Sequence, residues 1–124
     1  MIIKNVKVYT EEQKFTDGEI VIRDGVIEDS QVVSGASAKP EDGEEVLDGE
    51  GCYAIPGLID LHFHGCMGYD FCDGTKEAIE EIAKYEASIG VTAISPATMT
   101  LPVEELEKIL AVAAEYREEA GKRA

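Results

Sequence analysis

The chain contains only two histidines, His62 and His64, separated by a single residue. They end an apolar segment that also includes Asp60. Side chains alternate between the two faces of a β-strand, so a strand here would place Asp60, His62 and His64 on one face. Two neighbouring imidazoles can both reach one cation at the roughly 2.0–2.1 Å of a zinc–nitrogen bond. The spacing therefore predicts a metal site with His62 and His64 as ligands.

Structural histidines that are exposed or hydrogen-bonded also occur at this spacing, and a complete metal site needs three or four ligands. Three observations favour ligation: the two histidines are the only ones, they share a face with Asp60, and a glycine-rich loop follows them. Asp60 either contacts the metal or orients the histidines through a hydrogen bond. Its deeper position in the strand favours the second role.

The segment after the histidines, from Gly65 to Gly74, is expected to form a tight loop beside the site. Its first four residues are predicted active-site loop residues: Gly65, Cys66, Met67 and Gly68. Cys66 and Cys72 are possible thiolate ligands, but five intervening residues are not a familiar zinc spacing. Asp70 and Asp73 can also reach the site, although acids in loops more often form turns or caps. The loop lacks the lysine and spacing of a phosphate-binding P-loop.

Residues 1–56 have the pattern of a small β-domain made of short strands. Residues 2–9 alternate in polarity, with Ile2, Lys4, Val6 and Val8 on one face. Asp17-Gly18 is expected to be a turn, and Asp24-Gly25 has the signature of a two-residue hairpin. Residues 34–45 form a predicted loop, and two further strands are expected at residues 45–48 and 52–55. We predict an antiparallel unit, as part of a small composite β-sandwich or a layered sheet.

Residues 57–124 alternate between strand and helix patterns. A strand over residues 57–64 is followed by a helix that Thr75 caps and Gly90 ends. A second buried strand covers residues 91–97, and Pro102 opens a second helix. The order β-α-β-α predicts parallel strands with right-handed crossovers. These would be the first two units of a (β/α)8 barrel, which typically needs about 250 residues, so a third strand is expected to follow.

The barrel interpretation also predicts which side chains of the first strand and second helix are buried. Ile59, Leu61 and Phe63 should pack on helices, while the Asp/His face points into the barrel. The histidines lie at the carboxyl end of their strand, where barrel enzymes place their active sites. The second helix should bury an apolar face formed by Val103, Leu106, Ile109, Leu110 and Ala113.

Composition narrows the classes of partner. The formal net charge is −15, which disfavours phosphate backbones and anionic lipid surfaces. We therefore expect no nucleic-acid partner and no membrane partner. No apolar run approaches the roughly 20 residues of a membrane span, and the first residues lack a signal-peptide pattern. Three cysteines without framework spacing indicate free thiols, and hence a cytoplasmic location.

The segment Pro-Gly-Leu-Ile-Asp-Leu-His-Phe-His, residues 56–64, resembles the first-strand motif of the amidohydrolase superfamily. The continuation over residues 64–75, with the pattern HG-x-x-G-x-D-x-x-DGT, is similar to that of N-acetylglucosamine-6-phosphate deacetylases. Residues 90–100 resemble the second strand of that family and its following loop. The similarity extends over essentially the whole chain, with residues 1–56 corresponding to half of the family's small composite β-domain.

The resemblance implies the N-terminal portion of a hydrolase that converts N-acetylglucosamine 6-phosphate to glucosamine 6-phosphate and acetate in amino-sugar metabolism. It implies one or two divalent metal ions (zinc, iron, manganese, cobalt or nickel), which activate water and polarise the amide carbonyl. It also implies a small phosphosugar substrate and a homodimer. Some relatives replace the histidine pair with amide side chains and keep one metal; both histidines here allow a second.

The remaining machinery of such an enzyme is expected beyond Ala124. This comprises the general-base aspartate, a metal-binding glutamate, two further histidines and the phosphate-binding groups. No catalytic residue is therefore expected within the chain, which alone should be inactive. Two alternatives remain: another cyclic-amide hydrolase of the superfamily, similar to dihydroorotase, or a non-catalytic, stand-alone metal-binding domain.

Overall fold

A computed structural model describes residues 1–29 and 38–121 of the protein. The chain divides into two compact units, Met1–Pro56 and Gly57–Ala124. Unit 1 is built from strands, and unit 2 alternates strands with helices. The α/β class predicted from the sequence is confirmed.

Unit 1 contains a mixed sheet. Its strands are β1 (Ile2–Tyr9), β2 (Phe15–Arg23), β3 (Val26–Asp29), β4 (Val46–Asp48) and β5 (Tyr53–Ala54). The order is β3-β2-β1-β4, and β5 also pairs with β1. The neighbours β1, β2 and β3 are antiparallel, but β4 and β5 both run parallel to β1. The prediction of an antiparallel unit is therefore wrong for β4 and β5, because the long connection after β3 allows the chain to return to β1 in the same direction.

The predicted turn at Asp17-Gly18 is also wrong, because both residues lie within β2. Gly18 pairs with Val6, at the point where the register of β1 shifts. Glycine is common in strands beside such bulges, so it was a misleading turn signal. The turn instead occupies residues 10–14, where the Thr10 amide donates to the Lys14 carbonyl at 2.9 Å.

The hairpin predicted at Asp24-Gly25 is confirmed. Both residues have positive φ, 51° and 74°, as a two-residue turn between antiparallel strands requires. Of the predicted loop over residues 34–45, residues 34–37 lie outside the described residues. Residues 38–45 contain no strand or helix. Among residues 1–29 and 38–56, the buried apolar side chains are Ile2, Val6, Val8 and Val21.

Unit 2 contains the strand that carries the histidines. Its elements are β6 (Leu58–Phe63), β7 (Gly65–Cys66), β8 (Tyr69–Asp70), a 3₁₀ helix (Phe71–Asp73), α1 (Lys76–Ser88), β9 (Val91–Pro96) and α2 (Val103–Ala120). Strands β6 and β9 pair in parallel, as predicted. The predicted loop over residues 65–74 instead holds the antiparallel β7–β8 hairpin and the 3₁₀ helix. Met67 and Gly68 form its turn with positive φ, 56° and 85°.

The helices of unit 2 begin as their sequence signals predict. The Thr75 hydroxyl accepts the Ala78 amide at 3.2 Å and so caps α1, and Gly90 follows that helix with φ 90°. Pro102 precedes α2 without a side-chain cap bond. A core cluster of Phe71, Ile79 and Ile109 packs the 3₁₀ helix, α1 and α2 together.

The outer residues of β6 differ from the prediction. Ile59 and Leu61 are 63% and 75% exposed, so the expectation that they pack on helices is wrong for the described part of the chain. The reason is that α1 packs against β9 and the β7–β8 hairpin rather than along β6. On α2, Ile109 is buried as predicted, but Val103 and Leu110 are exposed. No helix within residues 1–29 and 38–121 has the length and apolar character to span a membrane.

Candidate metal site at the carboxyl end of β6

His62 and His64 lie together at the carboxyl end of β6. Their ring centroids are 5.2 Å apart, and the ring planes make an angle of 87°. Two imidazoles that bind one tetrahedral cation at zinc–nitrogen distances have centroids about 5 Å apart. The observed separation therefore fits a shared divalent cation.

Asp60 acts on the backbone of this site. One carboxylate oxygen accepts the His62 amide at 3.0 Å. The β6–β9 register shifts between Asp60 and Phe63, which marks a bulge. Bulges leave backbone groups without ladder partners and are frequent next to active sites, where they redirect a side chain. The Asp60 carboxylate satisfies an amide in this irregular stretch and so holds the backbone of His62, while its predicted contact with a metal stays a prediction.

His64 is half-buried, and its ring is held by the chain that follows β9. The ring Nδ1 lies 2.9 Å from the carbonyl oxygen of Ala97. The backbone carbonyl of His64 accepts the Phe71 amide at 2.7 Å. Sequence reasoning missed Ala97, because a backbone carbonyl carries no signal in the residue type. His62 is exposed, so the two predicted ligands sit in different surroundings.

The predicted active-site loop is the β7–β8 hairpin directly after His64. A side chain at Gly65 would place its Cβ 2.1 Å from the Tyr69 carbonyl oxygen, so only glycine fits the close strand pairing there. Met67 projects from the tip and is 67% exposed. The hairpin thus sets a fixed path for the chain leaving His64.

The other candidate ligands have structural roles. Burial raises the pKa of the Cys66 thiol, and the negative charge of Glu86 raises it further, which disfavours the thiolate that binds metals. The Cys72 Sγ accepts the Met99 amide at 3.1 Å. Asp70 and Asp73 cap the 3₁₀ helix. The Asp70 carboxylate accepts the Cys72 amide at 2.7 Å, and the Asp73 carboxylate accepts the Asp70 amide at 2.9 Å. The preference for caps over ligands is confirmed for these two acids.

The described ranges do not assemble a three-ligand metal site around the histidine pair. Across residues 1–29 and 38–121, no group of three or more His, Cys, Asp or Glu side chains could hold a metal ion. Within these ranges, the candidate metal site therefore consists of two adjacent imidazoles and the contacts that hold them.

Comparison with known proteins adds independent evidence. No protein-family model matches the chain. An N-acetylglucosamine-6-phosphate deacetylase of Vibrio furnissii is 40% identical over 63 residues, which cover 51% of this chain and 16% of that enzyme. A dihydroorotase of Bacillus pumilus is 35% identical over 107 residues, covering 86% of this chain and 23% of that protein. The crystal structure of N-acetylglucosamine-6-phosphate deacetylase from Pasteurella multocida matches with a TM-score of 0.81 and 23% identity, covering 94% of this chain and 30% of that one.

The enzymes that these comparisons name are N-acetylglucosamine-6-phosphate deacetylases and a dihydroorotase. The predicted resemblance to N-acetylglucosamine-6-phosphate deacetylases is confirmed by the sequence comparison. The structural likeness establishes a shared fold. The chain spans between 16% and 30% of the length of these three relatives.

Proposed function

We propose that this chain supplies the first two metal ligands of a deacetylase that acts on N-acetylglucosamine 6-phosphate and releases acetate. The observation that carries the proposal is the His62–His64 pair, with ring centroids 5.2 Å apart at the carboxyl end of a parallel strand. The resemblance of the surrounding segments to N-acetylglucosamine-6-phosphate deacetylases supports the choice of substrate.

His62 and His64 would hold one divalent ion, and zinc, iron, manganese, cobalt and nickel all accept imidazole ligands. The ion would supply Lewis-acid polarisation of the amide that is hydrolysed. Asp60 keeps the His62 backbone in place through its 3.0 Å hydrogen bond, and Ala97 holds the His64 ring. A general-base aspartate and the remaining metal ligands belong to the rest of the proposed enzyme, so the chain alone should not turn over substrate.

We further propose that unit 2 forms the start of a (β/α)8 barrel and that unit 1 forms part of a small β-sandwich. Two features of unit 2 support the barrel. Strand β6 exposes three large apolar side chains, those of Leu58, Ile59 and Leu61. A groove of about 670 Å³, bordered mainly by β9 and α2, is lined largely by apolar side chains. Neighbouring strands and helices of a complete barrel would cover both surfaces.

The test begins with the protein that carries this chain at its natural length. Intact mass identifies that length, and acetate release from N-acetylglucosamine 6-phosphate measures the activity. A complete barrel with its β-domain implies a mass of about 40 kDa. That mass, together with acetate release, supports the proposal. A mass of 13.4 kDa without activity would point to the stand-alone, non-catalytic domain.

The ligand assignment has its own test. In the active protein, replacing both His62 and His64 with Ala should strongly lower bound metal, measured by elemental analysis, and should lower acetate release with it. Glu107→Ala, an exposed position on α2, is the matched control and should leave both unchanged. Unaltered metal content in the double-histidine variant would refute the assignment.

A second candidate is a dihydroorotase-like cyclic-amide hydrolase, favoured by the 35% identity to the Bacillus pumilus dihydroorotase over 86% of this chain. Ring opening of dihydroorotate without acetate release from the phosphosugar would select this alternative. For either activity we propose a cytoplasmic setting, supported by three cysteines that are all free in the structure.

A further inference from the structure

Three backbone contacts surround His64 at the carboxyl ends of β6 and β9. The Ala97 amide donates to the Phe63 carbonyl at 2.8 Å, and the Phe71 amide donates to the His64 carbonyl at 2.7 Å. The Ala97 carbonyl oxygen lies 2.9 Å from the ring Nδ1 of His64. Ala97 therefore contacts both the strand residue before His64 and the ring of His64 itself.

A carbonyl oxygen can only accept a hydrogen bond, so the 2.9 Å contact requires a hydrogen on Nδ1. In a neutral imidazole the other nitrogen, Nε2, then keeps its lone pair. We propose that the Ala97 carbonyl selects the Nδ1–H tautomer of His64 and leaves Nε2 as the nitrogen offered to a metal. The tautomer assignment stands on the geometry alone, and only its use for metal binding rests on the proposed function.

The position of Ala97 is itself fixed from two directions. Pro96 precedes it with a φ locked by the proline ring, and the Ala97 amide is bonded to β6. Two residues later, the Met99 amide donates to the Cys72 Sγ at 3.1 Å. The Cys72 amide is in turn bonded to the Asp70 carboxylate at 2.7 Å. Cys72 is thus a positioning residue that acts on His64 through the segment from Ala97 to Met99.

His62 provides an internal control for the tautomer. Among the contacts of the described residues, its backbone amide is bonded to Asp60, whereas its ring has only the edge-to-face contact with the His64 ring. The His62 ring is also exposed. We expect it to show the solution mixture of tautomers, in which no protein group imposes a choice.

The primary experiment needs no variant. Long-range ¹H–¹⁵N correlation spectra of the full chain, labelled in the histidine rings and kept metal-free with a chelator, distinguish the two ring nitrogens at pH 8.5, where free imidazole is neutral. The ratio of Nδ1–H to Nε2–H tautomer should be at least about five-fold higher for His64 than for His62, as one net hydrogen bond implies. Equal ratios, or mainly Nε2–H at His64, would overturn the inference.

Two pairs of variants sharpen the test. His64→Asn keeps an amide donor near the Nδ1 position, whereas His64→Gln moves the amide towards the Nε2 position. His64→Asn should retain the melting temperature better than His64→Gln, and the reverse order would count against the Ala97 contact. Cys72→Ala should lower the tautomer ratio at His64 relative to wild type, and Cys72→Ser, which keeps an acceptor, should lower it less. An unchanged ratio in Cys72→Ala would remove Cys72 from the positioning role.

Zinc titration separates this inference from the proposed function. A shift of the ¹⁵N resonance of the unprotonated His64 Nε2 on adding zinc, with Nδ1 still protonated, supports the assignment of Nε2 as the coordinating atom. If zinc leaves both rings unchanged while His64 remains the Nδ1–H tautomer, the metal role is refuted and the tautomer assignment stands. Zinc bound through Nδ1 of His64 would refute the inference while leaving metal binding intact.

Discussion

Unit 1 and unit 2 bury their strands to different degrees. In unit 1, Ile2 is fully buried and Val6, Val8 and Val21 are at most 6% exposed, so two paired strands share a well-covered apolar face. In unit 2, the β6 residues Leu58, Ile59 and Leu61 are more than half exposed, and the buried side chains among the described residues lie instead on the 3₁₀ helix and the two helices. The strand that carries the histidines is therefore held by its hydrogen-bonded pairing with β9 and by backbone contacts at its carboxyl end, whereas the paired strands of unit 1 also share a buried apolar face.

Among the described residues, the strand that carries the two candidate metal ligands therefore has no buried apolar face of its own. Around His64, the contacts that fix geometry are hydrogen bonds from Ala97 and Phe71 rather than apolar packing. Hydrogen bonds are directional, so a few of them can define a ring position that packing alone leaves loose. The following predictions test this contrast.

The largest expected effect is the loss of a buried side chain in unit 1. Ile2→Ala should lower the free energy of unfolding by about 2–4 kcal/mol, because Ile2 is fully buried and its truncation leaves a cavity. In the 124-residue chain by itself, Leu61→Ala, at a position 75% exposed on β6, should change it by less than about 0.5 kcal/mol. Urea unfolding followed by circular dichroism measures both. Equal losses in the two variants would mean that the outer face of β6 is covered in solution.

The next effect concerns the hairpin after His64. Gly65→Ala should cost about 1–3 kcal/mol of stability, because its Cβ would lie 2.1 Å from the Tyr69 carbonyl oxygen and 2.7 Å from the Asp70 Cα. Gly68→Asn is the control: φ is 85° with open space around it, and asparagine tolerates this conformation. The melting temperature of Gly65→Ala should be clearly lower than that of Gly68→Asn. A reversed order would show that hairpin pairing does not constrain this segment.

A smaller effect is expected at the start of α1. Thr75→Ala removes the hydroxyl that accepts the Ala78 amide at 3.2 Å and should cost about 1 kcal/mol. Thr75→Ser keeps the hydroxyl and should retain most of that stability. Denaturant unfolding of the three proteins gives the comparison. If serine and alanine behave alike, the cap does not stabilise this helix.

The smallest effect depends on pH and tests the charged contacts of unit 1. The pKa of the Glu44 carboxyl is lowered to about 2, first because it accepts the Glu41 amide, and further because the amino group of Met1 and the Arg23 guanidinium lie nearby, although burial opposes the shift. A pKa below the unfolded value of 4.5 stabilises the fold above about pH 4.5, and this contribution is lost as pH falls towards 2.

The melting temperature of Glu44→Gln should therefore lie below that of wild type at pH 6, and the difference should shrink steadily between pH 4.5 and 2. Glu107→Gln, on the exposed surface of α2, is the control for general charge effects. A Glu44→Gln difference that is independent of pH would show that shape, rather than charge, accounts for its contribution.

Much of the element order follows from local signals in the sequence. Thr75 and Gly90 bracket α1, and Asp24-Gly25 forms a hairpin, because caps and two-residue turns depend on residues close together in the chain. Misleading signals arose where the same residue type serves two purposes. Gly18 was expected to make a turn, yet it lies opposite a bulge within β2, which only the pairing partner on β1 decides.

For the candidate site, the sequence alone identified the histidine pair, its strand and its place at the strand's carboxyl end, because alternation and the first-strand motif are local patterns. The tertiary structure decided the contacts that hold the pair. The bulge after Asp60 depends on the β6–β9 register, and the partner of the His64 ring is a backbone carbonyl 33 residues away in the chain. Backbone carbonyls are present at every residue, so only the folded path of β9 could determine that Ala97 faces His64.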